Sequence, residues 1–171
     1  MQTIQHIIVQ YKITTDWFLS ALNDISEEDG SKTITENSNS LEWIAGHLIT
    51  GRYRNIVRLG IKIDPYKNLD KFVNPSIPPP NAIAFDKKTK YQGLAECREQ
   101  WKIYSTIFLE ALEKADETIL QTKLPAPILT GGTTIMDALV FVALHETYHI
   151  GQMSTIRKSL GYPAMQLSSR K

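Results

Sequence analysis

The sequence predicts an all-α fold, a four-helix bundle, and three observations carry that reading. Four segments of the 171 residues repeat apolar side chains at spacings of three and four, the pattern of an amphipathic helix. The stretches between them are rich in Pro, Gly and small polar residues, which helix interiors do not tolerate. No segment offers the apolar/polar alternation of a convincing strand.

The first segment runs from Ile4 to Leu22, with Ile4, Ile7, Ile8, Tyr11, Thr15, Phe18, Leu19 and Leu22 on one stripe. A loop over Asn23 to Ser38, containing Gly30, breaks it. The second helix is expected from Asn39, because Asn39 followed by Glu42 has capping-box spacing ahead of Leu41, Ile44 and Leu48; Gly60 ends it. Asp64 to Ala84 holds Pro65, Pro75 and Pro78-Pro79-Pro80, so this stretch is extended or turned and reads as a rigid crossover. The third segment places Leu94, Cys97, Trp101, Tyr104, Phe108, Ala111 and Ala115 on a single stripe. After a loop containing Pro125, Pro127, Gly131 and Gly132, the fourth helix opens at Thr133 or Thr134 with Asp137 in its first turn. It closes at Leu160-Gly161, with Pro163 just beyond. Trp17, Trp43 and Trp101 read as core or bundle-end packing.

Helices of this size are about 30 to 40 Å long, the height of a four-helix bundle. A crossover of more than about twenty extended residues spans that whole height at ~3.3 Å per residue. Helices two and three are therefore expected to be parallel neighbours, giving up-down-down-up order rather than simple alternation.

Residues 1–171 read as a single domain, large enough to bury a core without disulfides or a structural metal. Any metal here is expected to be functional. With 19 Lys+Arg against 18 Asp+Glu, the charge balance argues against a general nucleic-acid binder or a polybasic membrane-surface protein. The one cysteine, Cys97, rules out an internal disulfide framework and fits a reducing compartment. The N-terminal residues have no basic region, long apolar run or small-residue cleavage site, and no apolar run approaches the ~20 residues of a membrane span. The expectation is a cytoplasmic protein.

Of the four histidines, His145 and His149 are four apart in the most apolar helix and so share one face. That face continues through Ala138, Val142, Gln152 and Ile156, a stripe otherwise directed at the core. Two adjacent imidazoles in an apolar setting need hydrogen-bond partners and cannot both protonate without cost; a shared divalent cation meets both demands. The plainer alternative is that each is a core histidine bonded to a hydroxyl or carbonyl of a facing helix. His47, about 12 Å into helix two, is the candidate third ligand, whereas His6, in the first turn of helix one, reads as a surface residue.

The string His145-Glu-Thr-Tyr-His149 also matches H-E-x-x-H, in which two histidines bind zinc and the glutamate is the general base of a peptidase. No histidine follows His149 and no Asp or Glu follows Glu146, so a downstream third ligand does not exist. Glu146, about 100° around the helix from His145, is either a candidate catalytic base near the metal or a partner for a cation on another helix. Gln152 is a candidate to orient His149 or simply a polar bundle contact. Tyr148 and Arg157 are candidates for substrate contact. Cys97 reads as a small buried hydrophobe, with a fourth-ligand role as the alternative.

The combination of Leu41-Glu-Trp-Ile-Ala-Gly-His47-Leu with Leu144-His-Glu-Thr-Tyr-His-Ile-Gly-Gln152 and Ile156-Arg-Lys-Ser-Leu-Gly-Tyr-Pro163 resembles the DinB-like (YfiT-like) superfamily of metal-dependent enzymes. The likeness spans most of the chain and is most specific in the fourth helix. It implies an up-down-down-up bundle with a divalent metal, usually zinc or nickel, held by one histidine of helix two and two of helix four; here these are His47, His145 and His149. Some members use a low-molecular-weight thiol as cosubstrate, and homodimers are common among them.

Three neutral imidazoles leave such an ion its full charge and an open position, as in catalytic sites. Water there acquires a pKa near 7 and a thiol is deprotonated, so hydrolysis and thiol transfer are both within reach. The expected function is metal-dependent chemistry on a small molecule, as a thiol-dependent S-transferase or a hydrolase. A non-catalytic metal-binding or stress-related bundle is the alternative, and a zinc peptidase the minor one.

Overall fold

The computed structural model describes residues 2–65, 67–73 and 82–167. Along the chain come α1 (Gln2–Leu22), α2 (Glu27–Ser31), α3 (Leu41–Arg58), a 3₁₀ turn (Leu69–Lys71), α4 (Leu94–Lys114), α5 (Glu117–Leu120) and α6 (Ile135–Ser159). Among the described residues no strand forms, only isolated bridges between Val73 and Ala82 and between Lys123 and Thr134. Pro75 and Pro78-Pro79-Pro80 of the expected crossover lie outside the described residues.

The helix ends follow from local chemistry. Ser40, one residue beyond the expected Asn39, caps α3: its backbone is extended and its Oγ accepts from Trp43 N–H at 3.3 Å. That shift puts Glu42 too close to the cap to reach back to its amide, so no capping box forms there. A full box does form at α6, where Thr134 Oγ1 accepts from Asp137 N–H (3.1 Å) and the Asp137 carboxylate accepts from Thr134 N–H (2.9 Å). Gly60 (φ 84°) and Gly161 (φ 90°) supply the left-handed residue that ends α3 and α6. In each case paired amides close on the last turn, Gly60→Val57 with Ile61→Ile56 and Gly161→Lys158 with Tyr162→Arg157.

The segment expected to be a loop over Asn23–Ser38 contains α2. Five residues are too few to show apolar periodicity, but Ser26 accepts from Asp29 N–H and starts a turn led by Glu27, Glu28 and Asp29. Its role is visible at α4, which opens on Gly93 with no side-chain cap of its own. Glu27 fills that place from outside, its two oxygens accepting from Leu94 N–H (2.7 Å) and Ala95 N–H (2.8 Å).

Two apolar clusters fix the helix directions. One joins Phe18, Ala21 and Leu22 of α1 to Leu41–Ile49 of α3, Leu94–Trp101 of α4 and Ile150–Ile156 of α6. The other joins Ile7, Ile8 and Tyr11 to Ile56 and Leu59, Phe108–Leu112 and Leu139–Ala143. The end of α1 thus meets the starts of α3 and α4 and the end of α6, so α1 and α6 run one way and α3 and α4 the other. This is the up-down-down-up bundle, with α3 and α4 parallel neighbours. Side-chain bonds agree: Tyr11 O–H donates to Leu139 C=O at 2.7 Å along the parallel pair, and Trp101 Nε1–H to Thr15 C=O at 3.1 Å along the antiparallel pair.

Between the clusters lies a buried polar layer built on Arg52 and Glu146, both wholly inaccessible. Arg52 Nε donates to Glu146 Oε1 (2.5 Å) and Nη2 to Oε2 (2.8 Å), a bidentate pair. Thr14 O–H donates to Glu146 Oε2 at 2.7 Å, and Arg52 Nη2 also reaches Thr14 Oγ1 and Tyr11 C=O. The guanidinium lies 4.4 Å from the Trp101 ring centre and 4.8 Å from that of Tyr11. This layer pins three helices at one height, beside the site described next.

Candidate metal centre

His47 projects from the N-terminal half of α3, and His145 and His149 project from successive turns of α6 toward it. His47 Nε2 lies 3.1 Å from His145 Nε2, and His149 Nε2 lies 3.1 Å from the same atom. The ligand atoms of all three fall within 4.8 Å of one another. Tetrahedral ligation at 2.0–2.1 Å places neighbouring nitrogens about 3.3 Å apart, so the cluster fits a first-row divalent ion with only small adjustment.

Aromatic rings hold these imidazoles in place. The Trp43 indole, one turn before His47, stacks on it with centroids 4.9 Å apart and planes within 5°. Phe141, one turn before His145, stacks on that ring at 5.9 Å. His149 is 8% exposed and His47 and His145 are partly buried. Burial, with the neighbouring imidazoles adding to it, pushes His47 down to about 3 and His145 down to about 4. Burial lowers His149 too, against the hydrogen bond it makes to the Gln152 side-chain oxygen. All three are therefore neutral at pH 7, the form that ligates. Among the described residues His47 Nδ1 is buried without a partner, and stacking on Trp43 orients that ring.

The other candidate residues sort by what they touch. Glu146, between the two α6 histidines in sequence, faces away from them into the polar layer and is engaged by Arg52 and Thr14. Gln152 Oε1 is 2.7 Å from His149 Nδ1, and Gln152 Nε2 donates to the phenolic oxygen (Oη) of Tyr148 at 2.9 Å. Tyr148 is 64% exposed, its ring edge-on to His149 at 5.1 Å. Arg157, expected at a substrate, is instead buried and donates to the carbonyls of Pro163, Ala21 and Asn23. It closes the ends of α1 and α6 because those carbonyls have no helical partner. Cys97 is buried in α4 and accepts from Gln92 Nε2 at 3.3 Å, apart from the histidines; burial pushes its thiol up to about 12. His6 is exposed.

Sequence reasoning assigned Trp43 to packing alone and passed over Phe141, Arg52 and Thr14. Two signals were available: an aromatic residue four positions before each of two histidines, and a charged Arg52 continuing the Leu41, Ile44, Leu48 stripe.

In fold, the chain is similar to YfiT from Bacillus subtilis, described as a probable metal-dependent hydrolase with an unusual four-helix bundle topology. The two align with a TM-score of 0.68 at 12% identity, over 95% of this chain and 90% of that one. A DinB-like protein of Bacillus subtilis, YjoA, aligns with a TM-score of 0.58 at 18% identity, over 97% and 96% of the two chains. No curated protein sequence matches significantly. The match to the DinB superfamily covers residues 10–153, from the third turn of α1 through His47 and on past His149, and the chain therefore belongs to the DinB superfamily.

Proposed function

We propose that the protein is a metal-dependent enzyme acting on a small molecule, as a hydrolase or a thiol-dependent S-transferase, with zinc or nickel held by His47, His145 and His149. The observation that carries this reading is the convergence of three neutral Nε2 atoms from two helices, 3.1 Å apart in two of the pairs. A divalent ion held by three imidazoles supplies Lewis acidity at its open position, lowering the pKa of a water or thiol that reaches it. The protein's own part is to keep the imidazoles unprotonated by burial, to fix their planes with Trp43 and Phe141, and to leave an accessible rim at Tyr148. The description of YfiT as a probable metal-dependent hydrolase is consistent with this chemistry. Glu146 has no part in it as a base, because its carboxylate is wholly buried and held by Arg52 and Thr14. The peptidase alternative thereby loses its general base.

Elemental analysis of protein purified without chelator, beside a His149→Ala variant, tests the proposal. About one equivalent of zinc or nickel per chain, largely lost in the variant, is the expected result. A wild-type protein that carries no metal and takes none up would return the three histidines to packing.

A further inference from the structure

The hydrogen bonds beside His149 run along one chain of atoms, from its Nδ1 through the Gln152 amide to the Tyr148 phenol. For Nε2 of a neutral His149 to turn a lone pair toward the other histidines, its proton must sit on Nδ1. The atom 2.7 Å from Nδ1 must then be an acceptor, which sets the Gln152 amide with Oε1 toward His149. Its NH₂ group is consequently directed at Tyr148, and the phenolic oxygen 2.9 Å away accepts. The Tyr148 O–H proton is thus not used within this chain of bonds, and the side chain stands 64% exposed at the rim.

We propose that Gln152 is a positioning residue that locks His149 in its Nδ1–H form, and that Tyr148 donates its free proton to an oxygen of a ligand entering beside the histidines. The proposal rests on the metal reading and extends it to ligand recognition. A bound carboxylate or carbonyl oxygen is the matching chemistry, since the phenol offers a donor and its oxygen already accepts from Gln152. The sequence places Tyr148, His149 and Gln152 within five residues of one helix, so α6 alone sets the geometry.

Zinc affinity, measured by competition with a chromophoric chelator, and acetate affinity, read from the visible spectrum of the cobalt-substituted protein, test it with four proteins. Gln152→Leu should weaken zinc binding about 10- to 100-fold with the metal-free fold intact by circular dichroism. Gln152→Glu should bind zinc at least as tightly as wild type, because its carboxylate still accepts from Nδ1–H. That carboxylate also takes the phenolic proton, so acetate affinity should fall about five- to tenfold. Tyr148→Phe should show the same acetate loss with zinc affinity changed by less than about threefold. Wild-type zinc affinity in Gln152→Leu overturns the positioning role. Acetate affinity unchanged in Gln152→Glu and Tyr148→Phe, or no acetate response in wild type, overturns the tyrosine's role. Failure of wild type to bind zinc at all is a different result and overturns the metal reading beneath both.

Discussion

Replacing Glu146 with Gln separates a catalytic carboxylate from one that holds the bundle together. The substitution keeps the side chain's shape and removes its charge, leaving the Arg52 guanidinium wholly buried without a counter-ion. Among the described residues, Nη1 of Arg52 already lacks a partner. The new amide also turns an NH₂ group toward either Arg52 Nε or the Nη2 and Thr14 hydroxyl side, where donors already converge. Breaking a buried pair at one partner costs about 3–5 kcal/mol. For a domain of this length, that lowers the melting temperature by about 6 to 20 °C. Thermal and urea unfolding of the metal-free variant at pH 7 would measure it, and an Arg52→Met/Glu146→Leu double variant should recover most of the loss by removing both charges. A Glu146→Gln protein within about 1 kcal/mol of wild type would refute the structural account, and lost turnover in that stable protein would restore the catalytic one.

Stability of the metal-free protein should also depend on its histidines. Their folded-state pKa values lie below the ordinary 6.5, so the unfolded chain takes up protons first, and this contribution to stability is lost as pH falls from about 6.5 toward 4. Glu42, pushed up to about 7 by burial and by Glu27, acts with opposite sign across the same range. The measurement is therefore the difference between wild type and a His47→Gln variant in urea unfolding at pH 7 and pH 5; equal pH dependence in the two would contradict the assignment. Gly46, beside His47, lies under the buried Phe72 ring, which any side chain at this position would overlap. Gly46→Ala should cost about 1–3 kcal/mol in wild type yet stabilise a Phe72→Ala background by up to about 1 kcal/mol through helix propensity. Equal effects in both backgrounds would show that Phe72 does not set the need for glycine.

The bundle was legible because its long helices carry their own punctuation: apolar stripes of 18 to 25 residues, Thr134 with Asp137 at one end, Gly60 and Gly161 at others. The three histidines were legible as candidates through the four-residue spacing of His145 and His149 and the depth of His47 along its helix. What escaped depends on partners distant in sequence. Nothing local to Glu27 announces that it caps α4 some 67 residues later, and α2 is too short for a periodic signal. Likewise Arg52 and Glu146 are 94 residues apart, so each alone looks like a misplaced charge, and only the packing of α3 on α6 makes them one pair. The Asn39 cap was off by one because Asn39 and Ser40 both accept amide protons, and the choice between them rests on backbone geometry.

The fate of Glu146 illustrates why the H-E-x-x-H string carries no fixed chemistry. In any α-helix the two histidines, four apart, share a face, and the glutamate after the first sits about 100° around from it. In a bundle of four helices the directions from one helix to its two neighbours also differ by about a right angle. A string that aims its histidines at one neighbour therefore turns its glutamate either toward the next interface or toward solvent, according to which neighbour the histidines face. Here the histidines meet His47 on α3, while the glutamate enters the interior where Thr14 of α1 donates to it and Arg52 reaches across from α3. A carboxylate so placed needs a cation or it would remain buried and unpaired. The Arg52 pair is thus the structural counterpart of a glutamate set between two histidines on a bundle helix, and it holds Glu146 in the interior, away from the histidine cluster.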